Sequence, residues 1–279
     1  MKKIGIFLDS LLCNKYIYDT VSDLSNNPNI ELYFLLNRDR EISSFQRVLE
    51  YFKRNKFFRI IELIYFRLIC ILEYKILSLF DKNLIDLKSI FNIDGLSKNQ
   101  NILIDPIFSP SGLVVRYSKD DINRIKSLNL DMIVRGNARG IFRGDILDCT
   151  KKGIISFHHG DNRWNRGGPA GFWEVFLKKS STGFIIQFLN SKLDSGSVIF
   201  RGDAPTKGSY TENQYNLYNI SNPHMAKIIN EYADRNYLPK AEKKIDFNLP
   251  ILKSPSMIKS LKYHLYIAKY LFNKILKEL

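Results

Sequence analysis

The chain lacks most of the features that would assign it to a common protein class at once. Its 279 residues include only three cysteines, Cys13, Cys70 and Cys149, which are scattered and odd in number. This pattern argues against a disulfide framework or a zinc site and is typical of reduced thiols in a cytoplasmic protein. The sequence contains no internal repeat or low-complexity tract. The apolar content of 45% predicts a globular protein with a core of ordinary size. The scattered cysteines give no indication of metal chemistry.

Long uninterrupted apolar runs are also missing. Residues 43–80 have apolar side chains at helical spacing, but charged residues break the run too often for a membrane span. The segment fits a helical hairpin packed on the core, which we favour because buried amphipathic helices are commoner, or a face lying on lipid. The start, MKKIGIFLDSLLC, is interrupted by Asp9 and lacks a small-residue cleavage site, so we expect a first strand there rather than a signal peptide.

The glycine fingerprint of a dinucleotide site is absent as well. Residues 4–8 and 31–36 predict two short buried strands, and residues 16–24 predict a helix between them, which makes a βαβ opening. The first strand is followed by the letters DSLL instead of a GxGxxG turn. A function in NAD binding therefore loses its main support.

Acidic residues are scarce relative to basic ones. The chain has 42 Lys and Arg against 28 Asp and Glu, a formal net charge of +14. Such an excess suits an acidic partner, which can be nucleic acid, an anionic membrane surface or a phosphorylated small substrate. Much of it lies in residues 53–59 and in the lysine-rich tail 253–277. Charge alone does not choose among these partners, and a plain solvated surface fits it equally well.

The middle of the chain predicts a regular α/β unit. Residues 118–128 combine a helix start with a helix, residues 130–135 form a strand, and residues 136–140 form a flexible turn. A further helix over about 144–149 leads to the apolar strand 153–157. The end of the strand 153–157 is therefore expected to lie beside the flexible turn 136–140.

Polar side chains follow two of the predicted strands. His158 and His159 come directly after residues 153–157, and Asp194 follows the predicted strand 184–189 in an Asp-Ser-Gly turn. Ligands bind outside the carboxyl ends of the strands in open α/β sheets. The two strand ends can therefore direct an imidazole and a carboxylate into one crevice, which is a catalytic arrangement.

A longer pattern surrounds the histidines. It reads Ser156-Phe-His158, Arg166-Gly-Gly-Pro, Thr182-Gly and Asp194-Ser-Gly, each in register with a predicted strand or turn. The pattern resembles the folate-dependent formyltransferases, the family of glycinamide ribonucleotide, methionyl-tRNA and sugar N-formyltransferases. The resemblance covers residues 130–199 in order and spacing, and the first strand loosely.

The resemblance implies a catalytic trio and a folate site. The family's catalytic Asn, His and Asp fall on Ser156, His158 and Asp194, so a serine replaces the Asn. The loop after the histidine, usually Ser-x-Leu-Pro in the family, is the polar sequence GDNR here. Family members bind the pterin of 10-formyltetrahydrofolate largely through main-chain groups of one loop. The corresponding residues, our predicted folate contacts, are Gly136, Asn137, Ala138, Arg139, Gly140 and Ile141.

The chemistry of formyl transfer explains such a trio. Attack of an amine on the formyl carbon forms a tetrahedral intermediate, which needs oxyanion donors and a proton relay. We expect His158 to stabilise the oxyanion and exchange the proton, while Asp194 orients the imidazole. Ser156 can donate one hydrogen bond but reaches less far than an Asn amide. Loss of one oxyanion donor costs about 2.7 to 4 kcal/mol, so Ser156, His159 or Asn162 compensates, or the enzyme is slow or inactive.

Four residues near this strand end are candidate contacts for the amine substrate: His159, Asn162, Arg163 and Arg166. The two arginines can bind a phosphate or carboxylate of the substrate, or they can pair with Asp161 and Glu174. His159 has a structural alternative, hydrogen bonding within its own loop. The residues leave these alternatives open.

The sequence thus predicts a Rossmann-like α/β formyltransferase fold with a mostly parallel sheet, a helical insertion at about 43–80 and a helical C-terminal extension. We expect the α/β domain over residues 1–203 and the extension over residues 204–279. Helices are predicted within the extension at 212–220, 224–235 and 256–279.

The predicted activity is formyl transfer from 10-formyltetrahydrofolate to a primary amine. An amino sugar nucleotide or a related precursor of polysaccharide biosynthesis is the leading acceptor. The region after residue 203 does not alternate like the small β domain that methionyl-tRNA formyltransferases append. This disfavours tRNA and nucleic acid, and methionyl-tRNA formyltransferase-like activity is kept only as an alternative. A non-catalytic folate-binding or scaffold relative is the second hypothesis. We expect a cytoplasmic protein, with a weak peripheral contact at the inner face of the membrane left open and the oligomeric state unassigned.

Overall fold

A computed structural model of the chain describes residues 1–38, 57–191, 196–243 and 251–278. The strands in these residues are β1 (Lys2–Leu8), β2 (Leu12–Asn14), β3 (Ile30–Asn37), β4 (Ile90–Asn92), β5 (Ile102–Ile104), β6 (Ile107–Phe108), β7 (Val114–Arg116), β8 (Met132–Arg135), β9 (Ile141–Phe142), β10 (Ile154–His158), β11 (Arg166–Gly167), β12 (Ser181–Phe188), β13 (Ser197–Pro205) and β14 (Ile251–Leu252). The α-helices are α1 (Lys15–Ser25), α2 (Phe57–Phe80), α3 (Lys119–Ser127), α4 (Phe172–Phe176), α5 (Tyr210–Arg235) and α6 (Met257–Glu278), and two 3-10 helices span Lys82–Leu87 and Asp145–Asp148.

A mostly parallel central sheet organises the molecule. Within the described ranges it has seven strands in the order β13-β12-β10-β8-β1-β3-β5. The five strands from β10 to β5 pair in parallel, whereas β12 and β13 add antiparallel strands at one edge. This topology confirms the predicted Rossmann-like α/β fold.

Helices cover both faces of the sheet. On one face α1 and α5 pack against β1, β3 and β8, with side chains such as Leu24 and Ile229 meeting Ile6 and Val134. On the other face α3 packs through Ile122 and Ile125. Burial of both sheet faces explains the near-continuous apolar runs of the parallel strands.

The structure corrects two predicted helices. Residues 145–148 form a short 3-10 helix that begins after Gly144 at φ +80°, so the expected helix over 144–149 is a single tight turn. The expected helices 212–220 and 224–235 are one helix, α5, that continues through Pro223. Proline in a helix interior costs about 3 kcal/mol. The turns on both sides of Pro223 are buried in the core, and this burial offsets the cost.

A third apolar cluster joins α2, α4 and α6. Phe66 and Leu77 of α2 meet Phe172 of α4 and Tyr263 and Ile267 of α6. The described part of the predicted helical segment 43–80 is therefore a helix packed on the protein, and residues 43–56 lie outside the described residues. No helix in the described part of the chain is both long and apolar enough to cross a membrane.

A buried carboxyl group ties α2 to the two C-terminal helices. Glu73 of α2 is 1% exposed, and burial raises its pKa. Its Oε1 accepts from the backbone N of Thr211 (2.6 Å) and its Oε2 from the hydroxyl of Tyr263 (2.7 Å). The Tyr263 hydroxyl in turn accepts from the backbone N of Tyr210 (2.9 Å). Glu73 thus accepts directly from one backbone donor at the start of α5, and it holds the Tyr263 hydroxyl that accepts from another. The division into domains at residue 203 stays a prediction.

We predict that Glu73→Ala lowers the free energy of unfolding by about 2 to 3 kcal/mol, because it leaves buried donors without an acceptor. Glu73→Gln should cost clearly less, since its amide oxygen still accepts from Thr211. Urea unfolding followed by circular dichroism measures both. Equal losses for the two variants would contradict this account, because Gln keeps the side-chain volume and one acceptor and should therefore retain part of the stabilisation.

Candidate functional site

The carboxyl ends of β1, β8 and β10 meet at one edge of the sheet, where they border a cavity of about 370 Å³. The cavity is closed by α1 on one side and by Tyr218, Ser221 and Met225 of α5 on another. Its volume lies within the usual range for a small-molecule site. This is the position at which open α/β sheets bind ligands.

The loop after β8, residues 136–140, forms one wall of the cavity. The side chain of Arg135 binds the backbone of this loop. Its Nε donates to the carbonyl of Ala138 (3.0 Å) and its Nη2 donates to the carbonyl of Gly140 (2.8 Å). Gly136 leaves no room for a side chain, since a Cβ would lie 2.8 Å from Leu8 Cδ2 and 3.0 Å from the carbonyl oxygen of Phe7. The loop therefore packs directly on the end of β1.

Asp9 clamps this loop from the other side. Its Oδ2 accepts from the backbone N (3.1 Å) and the Nε (2.6 Å) of Arg139, and its own backbone N donates to Asn137 Oδ1 (2.7 Å). The Asn137 amide also donates to the carbonyl of Ser10 (2.9 Å). Sequence reasoning used Asp9 to exclude a signal peptide and, as part of the letters DSLL, a GxGxxG turn, but did not assign it to the site. Its position as the first residue after a buried strand was the signal that could have identified it.

The predicted folate contacts divide into two groups. Gly136, Asn137 and Ala138 line the cavity, whereas Arg139, Gly140 and Ile141 are not among its lining residues. Arg139 is turned toward Asp9, and Ile141 begins β9 in a separate small sheet. The described structure thus places the first half of the predicted segment at the cavity.

Ser156, at the position of the family Asn, is 4% exposed and lines the cavity. Its hydroxyl donates to the carbonyl of the next residue, Phe157, at 3.0 Å. The hydroxyl can therefore donate to a ligand only after it leaves this local bond.

His158 ends β10 and is 8% exposed. Its Nε2 lies 2.9 Å from the carbonyl oxygen of Asn165. A carbonyl only accepts, so Nε2 carries the proton and Nδ1 is the basic nitrogen of the neutral ring. His158 is not among the residues that line the cavity. Ser156 and His159 line it, so the predicted residues are adjacent in the chain but do not all face one space.

A buried polar pair that sequence reasoning missed lies behind His158. Asn165, 1% exposed, donates through Nδ2 to Oε1 of Glu174 (2.8 Å), and Glu174 is fully buried. Burial raises the pKa of Glu174, and nearby His158 acts in the opposite direction. Gly160 closes over the pair, because a Cβ there would lie 2.8 Å from His158 Nε2. The tightness of this packing fixes the orientation of the imidazole.

His159 faces the opposite side, toward α5. Ser221 Oγ donates to the carbonyl of Tyr218 (3.3 Å) and so accepts from His159 Nε2 (3.2 Å). The ring stacks on Phe157 with centroids 5.0 Å apart. Burial, with a smaller effect from the charge of His158, lowers the pKa of His159 from 6.5 to about 3. His159 is therefore neutral at physiological pH and is bonded to a helix, not within its own loop.

Comparison with known proteins bears on this site. No family model matches the chain. Among curated proteins, the methionyl-tRNA formyltransferase of Clostridioides difficile (strain 630) is 29% identical over 110 residues, which cover 38% of this chain and 35% of that protein. That of Bacillus cereus (strain B4264) is 30% identical over 94 residues, 34% of this chain and 29% of that protein. The match spans about a third of the length of these relatives.

Solved structures match over most of the chain. Glycinamide ribonucleotide transformylase 1 from Symbiobacterium toebii has a TM-score of 0.50 at 10% identity and covers 87% of this chain and 95% of its own. A sugar 3N-formyltransferase crystallised in the presence of dTDP and 5-N-formyl-THF has a TM-score of 0.50 at 12% identity, over 97% and 81%. This chain has the formyltransferase fold. The family resemblance drawn from the sequence is confirmed.

The loop that departs from the family pattern, residues 160–163, is held by charge on this formyltransferase fold. Asp161 accepts from Arg163 Nη2 (2.6 Å) and from Arg201 Nη1 (2.6 Å), and Arg201 Nη2 donates to Asn162 Oδ1 (3.1 Å). Burial alone would raise the pKa of Asp161, but hydrogen bonds from Arg163 and the charge of Arg201 outweigh it and lower the pKa. Arg201 of β13, which sequence reasoning missed, thus joins the loop to the sheet.

The candidate substrate contacts have different surroundings. Arg163 pairs with Asp161, which is one of the two alternatives left open by the sequence. Asn162 is 2% exposed and bonded to Arg201. Arg166 begins β11, which pairs with Ile251 of β14. The role of these residues in substrate binding stays a prediction. Asp194 lies outside the described residues, so its expected position beside His158 also stays a prediction.

The depressed pKa of His159 predicts a pH dependence of stability. Below pH 6.5 the unfolded chain binds a proton at this ring that the folded chain excludes down to about pH 3. Stability should therefore fall as the pH falls through this window, by at most about 1.4 kcal/mol per pH unit from this group. His159→Gln should flatten the curve of unfolding free energy against pH between these limits, relative to the unchanged chain.

His264→Gln is the matched control, because His264 is exposed and bonded only at the surface to Tyr65. It should leave the slope unchanged. If His159→Gln and His264→Gln give the same curve, His159 is not the proton-excluding group.

Proposed function

We propose that the protein transfers a formyl group from 10-formyltetrahydrofolate to the primary amine of an amino sugar nucleotide or a related glycan precursor. One observation carries the proposal: the cavity at the carboxyl edge of the sheet lies between the loop 136–138 and the strand end that bears Ser156 and His158. Ser156, at the position of the family Asn, lines this cavity and supports the proposal. The sugar 3N-formyltransferase structure crystallised in the presence of 5-N-formyl-THF supports the choice of co-substrate.

The cavity fits a folate ring. Its lining includes residues 136–138 and the polar residues Asn14, Ser156 and His159. Asp9 and Arg135 hold the loop, so its backbone groups are positioned before a ligand arrives. The bound folate would supply the formyl group, and these residues would orient it.

We assign the proton of the attacking amine to His158, which is not in the cavity lining but lies between Phe157 and His159, two residues that are. The bond from Nε2 to the carbonyl of Asn165 leaves Nδ1 as the basic nitrogen and fixes the plane of the ring. A fixed imidazole near a strand end can accept a proton from an ammonium and stabilise a developing oxyanion. Asp194 would orient the ring from the following turn, as the family pattern implies.

The acceptor is proposed from charge and fold together. A net charge of +14 suits a substrate that carries phosphate. The curated relatives act on methionyl-tRNA, yet they match this chain over only about a third of their length. Beyond β13 the described chain consists largely of the helices α5 and α6, which agrees with the predicted helical C-terminal extension. An amino sugar nucleotide is a small molecule that carries phosphate, so it also suits the basic charge of the chain.

A second candidate is a protein that binds folate without turning it over. The specific observation in its favour is the Ser156 hydroxyl, which donates to its neighbour's carbonyl and replaces the amide of the family Asn. Loss of an oxyanion donor costs about 10²- to 10³-fold in rate. Folate affinity would remain while activity fell.

The decisive experiment incubates the protein with 10-formyltetrahydrofolate and a panel of amino sugar nucleotides, with products read by mass. We expect turnover that His158→Ala lowers by at least about 10²-fold and Asp194→Ala by a similar factor, with folate affinity nearly unchanged, because both groups act mainly in the transition state. Ser156→Ala should cost less than either. No turnover by the unchanged protein, together with retained folate binding, would support the non-catalytic candidate instead.

Folate binding itself is tested by thermal stability. Reduced folate at a hundredfold excess over its Kd should add about 2.7 kcal/mol, whereas NAD should add nothing comparable. Asp9→Asn should weaken folate binding by about tenfold, because it removes charge-assisted hydrogen bonds that hold the loop. Asp120→Asn, on the exposed start of α3, is the control and should bind normally. A melting temperature that no reduced folate raises would contradict the assignment.

A further inference from the structure

The solvent-facing side of α2 is mostly apolar, and the basic residues Arg67 and Lys75 are the charged side chains exposed on this helix. The exposed residues follow helical spacing, with exposed fractions from 38% to 69%: Phe57, Ile61, Ile64, Leu68, Ile71, Leu72 and Leu79. The opposite side, with Phe66, Ile69 and Leu77, is already buried in the third core cluster. The helix therefore has two apolar sides, and its outer side is not required for its own packing.

The outer side of α6 has the same character. Its exposed apolar residues are also at helical spacing, with exposed fractions from 50% to 69%: Ile258, Leu261, Leu265, Phe272 and Leu276. Tyr263, Ile267 and Leu271 face the core instead. Two neighbouring helices thus expose apolar stripes.

The two stripes lie on either side of the contact between the helices. Tyr65 of α2 and His264 of α6 meet there, with the Tyr65 hydroxyl 2.7 Å from His264 Nδ1. Leu68 lies one turn after Tyr65, and Leu261 lies one turn before His264. The stripes therefore form one surface, which we call the α2–α6 face. With 24 residues in α2, the face is about 36 Å long, larger than the scattered apolar exposure of an ordinary surface.

Among the side chains of α2 and α6 that the structure describes, the exposed charged residues are basic. The exposed basic residues on these helices are Arg67, Lys75, Lys259, Lys262, Lys269 and Lys277. The acidic residues of α2 are neutralised or hidden, because Glu62 pairs with Arg59 at 2.8 Å and Glu73 is buried. Lys262 and Lys269 flank the apolar stripe of α6 at helical spacing.

We propose that the α2–α6 face docks on an anionic lipid bilayer. Apolar side chains would enter the boundary between headgroups and acyl chains, and the lysines would meet the anionic headgroups. No helix in the described ranges can span a membrane, so the contact is peripheral. The proposal does not depend on the proposed catalytic function.

Charge decides against a second copy as the occupant. A symmetric dimer through this face would bring two basic rims together, and like charges across an interface are repulsive. A specific protein partner would need polar groups that set its register. The exposed groups of this face are mainly apolar or cationic, which suits a fluid surface with negative charge.

Sedimentation with vesicles tests the proposal. The full chain should sediment with vesicles of phosphatidylcholine mixed with phosphatidylglycerol, should not sediment with phosphatidylcholine alone, and should be released by salt, because salt screens exposed charges. Lys262→Gln with Lys269→Gln should weaken binding by about 25-fold, since each surface cation contributes about fivefold. Leu265→Gln should weaken it by at least about tenfold.

Matched changes elsewhere serve as controls. Lys98→Gln with Lys126→Gln removes the same charge from exposed sites on other elements, and Leu113→Gln alters a side chain that is 62% exposed in a loop. Both controls should bind like the unchanged chain, and unchanged circular dichroism should show that every variant is folded. Equal weakening by Lys98→Gln with Lys126→Gln would overturn the proposal, because net charge alone would then explain binding.

Two further results would also overturn it. One is the absence of binding to the anionic vesicles. The other is a concentration-dependent dimer in analytical ultracentrifugation that Leu265→Gln abolishes, which would assign the α2–α6 face to self-association.

Discussion

The hydrogen bonds of Asp9 across the carboxyl edge of the sheet are the interaction on which the candidate site depends. Parallel pairing of β1 with β8 brings Asp9 beside the loop 136–140, where it binds the backbone and side chain of Arg139. Arg135 satisfies carbonyl groups of the same loop from within. Because Asp9 and Arg135 hold the loop, its main-chain groups can present a preformed surface to a ligand.

The same edge also explains how His158 is oriented. Antiparallel β12 closes the sheet beside β10, and the chain after His158 folds back so that Asn165 accepts from its ring. Asn165 is in turn bonded to the buried Glu174. Buried polar groups are costly unless they are bonded, so this layer constrains the imidazole more tightly than a solvated loop would. Ser156, in contrast, is bonded to its own neighbour, which makes it the weakest member of the proposed trio.

The helices outside the sheet follow a different constraint. Glu73 and the apolar cluster around Phe172 bind α2 and α6 to the start of α5. Packing on the core buries the apolar side of a helix that has only one such side. The helices α2 and α6, however, carry apolar residues on two sides. The core buries one of them. The exposed one, with its basic rim, is why the proposed membrane contact concerns these helices and not the sheet.

The sequence by itself determined the α/β class, most parallel strands and the position of His158 at a strand end, because period, caps and strand-end polar residues are local signals. It could not show that Pro223 lies inside one continuous helix, because burial of both flanking turns decides that. Nor could it find Asn165 or Arg201 as partners of the site, and for Asp9 it offered only the position directly after a buried strand. Their contacts join residues that are distant in the chain or depend on how a loop folds back, and only the tertiary structure brings such groups within hydrogen-bonding distance.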